Sequence, residues 1–140
     1  AGSWAIPPDP KIKAKYRTKW GIDKPQPKMK DALPHLENRT FRKSPAFSHL
    51  KTFRAFLWQA IDKEDFKGPK GEFAPCCYDR ALMYPMLEMT PTEKIRFIKE
   101  HIYMYNIANP NCWAWKDRKK QMYYEDWFCN KKKPYSLLKR

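Results

Sequence analysis

Proline placement limits this chain more than any other feature. Pro7, Pro8, Pro10, Pro25, Pro27 and Pro34 punctuate the first forty residues. Each fixes its own φ, withholds an N–H and pushes the residue before it toward extended conformations. No helix is expected to run through residues 1–43, which read as an extended, basic, Pro-rich arm. Trp4, Ile6, Ile12, Tyr16, Trp20, Ile22 and Leu33 lie along it, large apolar side chains that a solvated linker does not need. The arm is expected to gain order by lying in grooves of a neighbouring molecule.

The remaining residues define the fold class. The chain has no Val and only 4 Gly beside 13 Pro, so it lacks the residue most at home in buried strands. Its 140 residues allow one modest core. We therefore expect a mainly α protein. A small irregular helical domain at 44–129, with two or three capped helices, lies between the arm and an extended basic tail at 130–140.

Four segments carry helical signals. Ser44-Pro45 supplies an N-cap followed by Pro at the first helical position, and the pattern runs to Phe66 before Lys67-Gly68-Pro69 stops it. The apolar face of that helix, Leu50, Phe53, Phe56, Leu57, Ala60 and Ile61 with Phe47 and Trp58 at its margins, exceeds the stripe of roughly 100° that a surface helix buries. A shorter helical segment is expected from Pro75 to about Met83, ended by Pro85. Thr90-Pro91-Thr92-Glu93 has the form of a capping box and predicts a helix from Pro91 to about Ile107. That helix would carry Ile95, Ile98, Ile102 and Tyr105 on one stripe and Phe97 and Met104 on nearly the opposite one. After Asn109-Pro110 a less regular helix should reach about Phe128, followed by the Lys131-Lys132-Lys133-Pro134 tail, with Leu137-Leu138 as a small apolar tooth.

Few residues suggest covalent chemistry. Cys76, Cys77, Cys112 and Cys129 include no C-x-x-C pair, which a tetrahedral zinc site or a redox motif normally presents. They read as reduced thiols acting as small hydrophobes. His35, His49 and His101 are scattered, and the glycines form neither a dinucleotide fingerprint nor a phosphate-binding loop. Asn38-Arg39-Thr40 matches a glycosylation sequon by a cheap pattern and is discounted. No catalytic, metal-ligating or cofactor-binding residue is assigned, no cofactor or small-molecule substrate is expected, and an enzyme is not expected.

What remains is charge and aromatic surface. A net charge of +14 with a pI near 9.7 calls for an acidic counterpart. Lys outnumbers Arg, which tilts slightly away from bidentate base recognition. The candidate partner-binding residues are Trp4, Trp20, Phe56, Trp58, Phe97, Met104, Trp113, Trp115 and Trp127, with the cations Lys116, Arg118, Lys119 and Lys120. Such rings and cations suit protein interfaces, lipid headgroups or stacked bases and phosphates. The longest apolar stretch, Ala81 to Leu87, is broken by Pro85 and falls far short of the roughly 20 residues of a membrane span. Ala1 to Pro8 shows neither a secretory apolar region nor an Arg-rich transit pattern.

Small, basic, Pro- and aromatic-rich chains with a few capped helices and long arms resemble the supernumerary subunits of mitochondrial complexes. That likeness of kind implies a structural accessory subunit of a respiratory-chain or ATP-synthase complex, peripheral to the inner membrane on the matrix side. Its partners would be other subunits and anionic lipid headgroups. The alternative is a mitochondrial ribosomal protein binding rRNA. From the cysteine spacing, elemental analysis of the native protein is expected to find no stoichiometric zinc; zinc lost on replacing the four cysteines by Ser would overturn this.

Overall fold

A computed structural model describes residues 3–5, 29–44, 51–98, 101–104 and 116–139. Within them the architecture is mainly helical. Helix α1 spans Met29–Glu37, α2 Ala55–Gln59, α3 Tyr78–Met89 and α4 Arg118–Asp126, the last running into a π-helical turn, Trp127–Lys131. Short 3-10 turns occupy Phe41–Lys43, Lys63–Phe66 and Thr92–Lys94. One parallel strand pair, β1 at Ser3–Ala5 and β2 at His101–Met104, joins two distant parts of the chain.

Helix α3 is the hub. All residues from Met83 to Met89 are buried, and a helix apolar around its circumference is one enclosed by its own chain. Met83, Met86 and Met89 pack with Leu57 and Ile61. Ala81 joins Cys76, Tyr124 and Phe128 in a second cluster, and Tyr84 and Leu87 pack with Phe41 in a third. Among the described residues the core is thus three small clusters around one helix.

Two expected helices on either side of α3 are not formed. The one read from Ser44 to Phe66 contracts to the five residues of α2 and a separate 3-10 turn, while residues 45–50 lie outside the described part. After α2 ends at Gln59, the Asp62 side chain accepts from the Glu64 amide at 2.9 Å and caps the 3-10 turn, a local bond that competes with continuation of the helix. The helix read from Pro91 to Ile107 is replaced by the 3-10 turn, an extended Ile95 and strand β2. Its capping box does not form, because the Thr90 hydroxyl donates backward to the Met86 carbonyl at 2.7 Å and closes α3 instead of opening a new helix.

Proline proved less disruptive than expected. Pro85 lies inside α3 and Pro34 inside α1, although an interior Pro costs on the order of 3 kcal/mol. At Pro85 the burial of its neighbours on every side offsets that cost, so α3 runs six residues beyond the Met83 end read from the sequence. The described part of the arm, from residue 29, holds α1 and the Phe41–Lys43 turn rather than extended chain; residues 6–28 lie outside the described part.

The segments meet at a buried ion pair. Arg42 Nε and Nη2 donate to the two carboxylate oxygens of Glu88 at 2.6 and 2.9 Å, with both side chains less than a tenth exposed. Arg42 Nη1 also donates to the Phe128 carbonyl at 2.6 Å, and the guanidinium reaches the carbonyls of Lys132 and Lys133 at 3.3 Å each. The Tyr135 amide donates to Glu88 at 2.9 Å, and the Leu138 amide to the Met89 carbonyl at 3.0 Å. Arg39, at a left-handed φ of 53°, sends its guanidinium to the Glu88 and Thr90 carbonyls. There it satisfies the orphan acceptors at the C-terminus of α3 and meets the negative end of the helix dipole.

Breaking such a pair strands the surviving charge, at about 3–5 kcal/mol. Glu88→Ala is therefore expected to speed hydrogen exchange at the Tyr135 and Leu138 amides sharply, and the double variant Arg42→Met/Glu88→Leu to lose less stability than the two single changes added together. Mass-spectrometric exchange and chemical denaturation check this; strict additivity would contradict it.

Candidate functional site

Helix α4 and the turn at Phe41–Lys43 that follows α1 line a concave surface. Asp117 starts α4 by accepting from the Lys120 amide at 2.9 Å, an N-cap that fixes the first turn. Two sulfur contacts hold the helix against the start of α3: Cys77 Sγ lies 3.3 Å from the Gln121 carbonyl and Cys76 Sγ 4.0 Å from that of Lys120. Cys77 adopts a left-handed φ of 59° at the N-cap of α3, uncommon for a residue with a Cβ. Arg80, one turn into α3, pairs with Glu125 of α4 at 2.5 Å and donates to the Tyr84 hydroxyl at 2.8 Å.

Between these elements lies an open cleft of about 530 Å³. Its lining includes the cations Arg42, Lys43, Arg80 and Arg118 and the carboxylates Glu125 and Asp126, with Arg42 already paired to Glu88 and Arg80 to Glu125. Met122 and Cys129 add apolar wall. Burial opposes the charge on Arg80, yet Tyr84, Glu125 and Cys129 more than offset this and raise its pKa. Burial likewise pushes the Tyr84 hydroxyl up, against the opposing pull of Arg80. The Lys43 ammonium has no carboxylate within ion-pairing distance among the described residues. Among those residues no three His, Cys, Asp or Glu side chains converge as metal ligands would, and no helix is long and apolar enough to cross a membrane.

The partner-binding candidates read from the sequence divide into distinct groups. Lys116, Arg118, Lys119 and Lys120 are exposed at the start of α4, and Trp58 is 52% exposed. Phe97 is half-buried in the extended segment after the Thr92–Lys94 turn. Phe56 packs on the methionine cluster. Trp127 packs beside Phe128, donates to the Lys67 carbonyl at 3.0 Å and carries Lys132 over its ring at 5.6 Å, so much of its surface serves the chain itself. Trp4 and Met104 belong to the paired strands β1 and β2; Trp20, Trp113 and Trp115 lie outside the described residues.

Sequence reasoning passed over other exposed side chains. Phe73 is 67% exposed, Tyr78 68% and Met122 55%. Tyr78 was read as part of a short apolar segment, and nothing in its spacing revealed that α3 turns it outward. Phe73 follows a tight loop in which Gly71 has φ +80° and a Cβ on Gly68 would meet Tyr124 Cε1 at 2.6 Å. That loop was legible from Gly68-Pro69-Lys70-Gly71, but the outward Phe after it was not. Lys43 is the last residue of the segment read as an extended basic arm.

Compared with protein-family models, with curated proteins and with solved structures, the chain matches none of them. The functional reading therefore rests on its own residues.

Three protonated groups elsewhere in the described residues tie stability to pH. Burial, and next the charge of Cys76, push the Cys77 thiol up to about 12. The hydrogen bond to Glu72 and then burial raise Tyr124 to about 12. Burial and then the hydrogen bond to Asp65 raise Tyr135 to about 12. The unfolded chain releases these protons near 9 to 10, so the native state holds them longer and its stability falls as pH rises from about 9 toward 12. An alkaline titration followed by tyrosinate absorbance and circular dichroism should show unfolding coincident with late tyrosine ionisation; ionisation near pH 10 with structure retained would contradict this.

Proposed function

We propose that this chain is a non-catalytic structural accessory subunit of a large assembly, a respiratory-chain or ATP-synthase complex of the mitochondrial inner membrane, which it meets peripherally from the matrix side. One observation carries the reading: Trp58, Phe73, Tyr78, Met122 and Tyr123 are each more than half exposed, while the core among the described residues is three small clusters. Exposed large apolar side chains on this scale mark interaction surfaces, and Trp, Tyr and Met are the residues enriched where proteins meet. The net charge of +14 adds a preference for acidic neighbours or anionic headgroups. Residues 6–28, with their apolar side chains among prolines, suit an arm laid against such neighbours.

The exposed cations at the start of α4, with Tyr123 on the same helix, favour one second reading, a mitochondrial ribosomal protein. There Lys116, Lys119 and Lys120 would neutralise phosphates and Tyr123 would stack on a base.

The purified chain alone is expected to aggregate or to melt without a sharp transition, because its exposed rings lack the partners that cover them. A soluble monomer with a cooperative melt would count against the proposal. In mild detergent the native chain should migrate with an inner-membrane complex, and replacing Lys116, Arg118, Lys119 and Lys120 by Gln should lower its incorporation. Co-sedimentation with ribosomal particles, with ultraviolet crosslinks from Tyr123 to rRNA, would instead establish the second reading.

A further inference from the structure

The C-terminal segment sets one hydroxyl among charges of a single sign. Residues 131–140 hold Lys131, Lys132, Lys133, Lys139 and Arg140, no acidic residue and one serine, Ser136, which is exposed. We propose that Ser136 is a phosphorylation site for a basophilic protein kinase, one that selects cations on the N-terminal side of its target serine. Such kinases read their substrates by charge complementarity. Lys133 and Lys131 stand three and five positions before Ser136, and both are exposed. Lys132 between them is turned inward to Asp65 at 3.2 Å and adds nothing to this pattern. Leu137, directly after the serine, is 50% exposed and offers an apolar contact beside the reacting hydroxyl.

The backbone presents this serine in a usable shape. Residues 133–139 form neither helix nor turn. The chain is held from the inner side on both flanks of the serine: the Tyr135 amide donates to Glu88 at 2.9 Å and its hydroxyl to Asp65 at 2.5 Å, while the Leu138 amide donates to the Met89 carbonyl at 3.0 Å. Ser136 and Leu137 lie exposed between those anchors. A segment fixed without helix or turn has little backbone freedom left to lose when an enzyme engages it, which removes part of the ordinary cost of binding.

Other hydroxyls whose side chains are described fit less well. Ser44 is buried, and Thr40, Thr90 and Thr92 are half-buried; the hydroxyls of Thr40 and Thr90 are already bonded to His35 and to the Met86 carbonyl. Thr52 is exposed, but His49 and Leu50 stand three and two positions before it, and the Lys51 ammonium lies 3.6 Å from Asp79 on a side chain only 9% exposed.

In the transfer the Ser136 oxygen bonds the γ-phosphorus of ATP and the bond from that phosphorus to the bridging oxygen breaks. ADP leaves, and the hydroxyl proton passes to the catalytic carboxylate of the kinase. The product carries up to about two negative charges at neutral pH in a segment that otherwise holds five cations, so phosphorylation weakens the attraction of this tail for acidic neighbours.

The test incubates the native full-length chain, in whatever assembly it is recovered, with a purified basophilic serine kinase and ATP, and maps phosphopeptides by mass spectrometry. Phosphate is expected on Ser136 and is lost in Ser136→Ala. The double variant Lys131→Gln/Lys133→Gln should slow the modification at least about tenfold, whereas Lys131→Arg/Lys133→Arg should retain it. Neither pair of changes touches the Lys133 carbonyl to which Arg42 donates, and circular dichroism of each variant should match the parent. No phosphate, phosphate only at other residues, or a rate indifferent to loss of the two lysines would overturn the inference, as would equally fast modification by a kinase that selects acidic substrates. None of these outcomes depends on which assembly the chain belongs to, so failure here leaves the accessory-subunit reading to its own test.

Discussion

The bidentate contact between Arg42 and Glu88 is the constraint on which the remaining structure depends. It joins a turn near the start of the described helical region to the last turn of α3, and the unused donors of the guanidinium collect carbonyls from the π-helical turn and the chain beyond it. The other side of Glu88 receives the Tyr135 amide. Burying two charges is expensive, and a hydrophobic pair of similar volume often serves stability as well or better. What the ion pair supplies here is direction. Three segments with little apolar surface to spare are told where to meet by donors and acceptors that have few alternative partners.

Around that clamp the hydrophobic contribution is divided. Helix α3 gives methionines to one cluster, Ala81 to another, and Tyr84 and Leu87 to a third. Methionine fills irregular gaps without demanding a fixed shape, which suits a helix touched on every side by short, irregular elements. Polar contacts then fasten the periphery. The Tyr135 hydroxyl donates to Asp65 at 2.5 Å and accepts from the Asp62 amide at 2.9 Å, and Lys132 reaches the Glu64 carbonyl at 2.8 Å. The same Asp62 that caps the 3-10 turn after α2 thus anchors the tail.

Much of this was legible in the residues, but unevenly. The helical class followed from the absence of Val, the loop at Gly68–Gly71 from its glycines, and the Leu137-Leu138 tooth from two apolar residues in a basic tail; Leu138 packs on the methionine cluster. The boundaries were misread wherever a local signal had two uses. Thr90 can open a helix or close one, and the Arg39 contacts to Glu88 and Thr90 favour closure. Pro85 reads as a stop, yet burial on all sides carries the helix through it. Arg39 and Arg42 fall within the segment read as a basic arm, since no periodicity distinguishes a solvated guanidinium from one that will be enclosed. At the surface, the exposed cations of α4 were visible in composition, whereas the outward aspect of Phe73, Tyr78 and Met122 depends on contacts between segments far apart in the chain.

The separation spanned by the clamp has a kinetic meaning. Arg42 and Glu88 lie 46 positions apart, and the Arg42 contacts to Phe128, Lys132 and Lys133 close loops of 86, 90 and 91 positions. Contacts so distant along the chain form late, because the entropy of closing each loop is lost before the contact rewards it. Until they form, the methionine cluster and the aromatic side chains stand open to solvent together, a state prone to self-association. By loop-closure entropy alone, the arginine contacts belong to the late steps of folding, after the local helices, and a variant lacking Arg42 is expected to prolong the interval in which those apolar side chains are open to solvent.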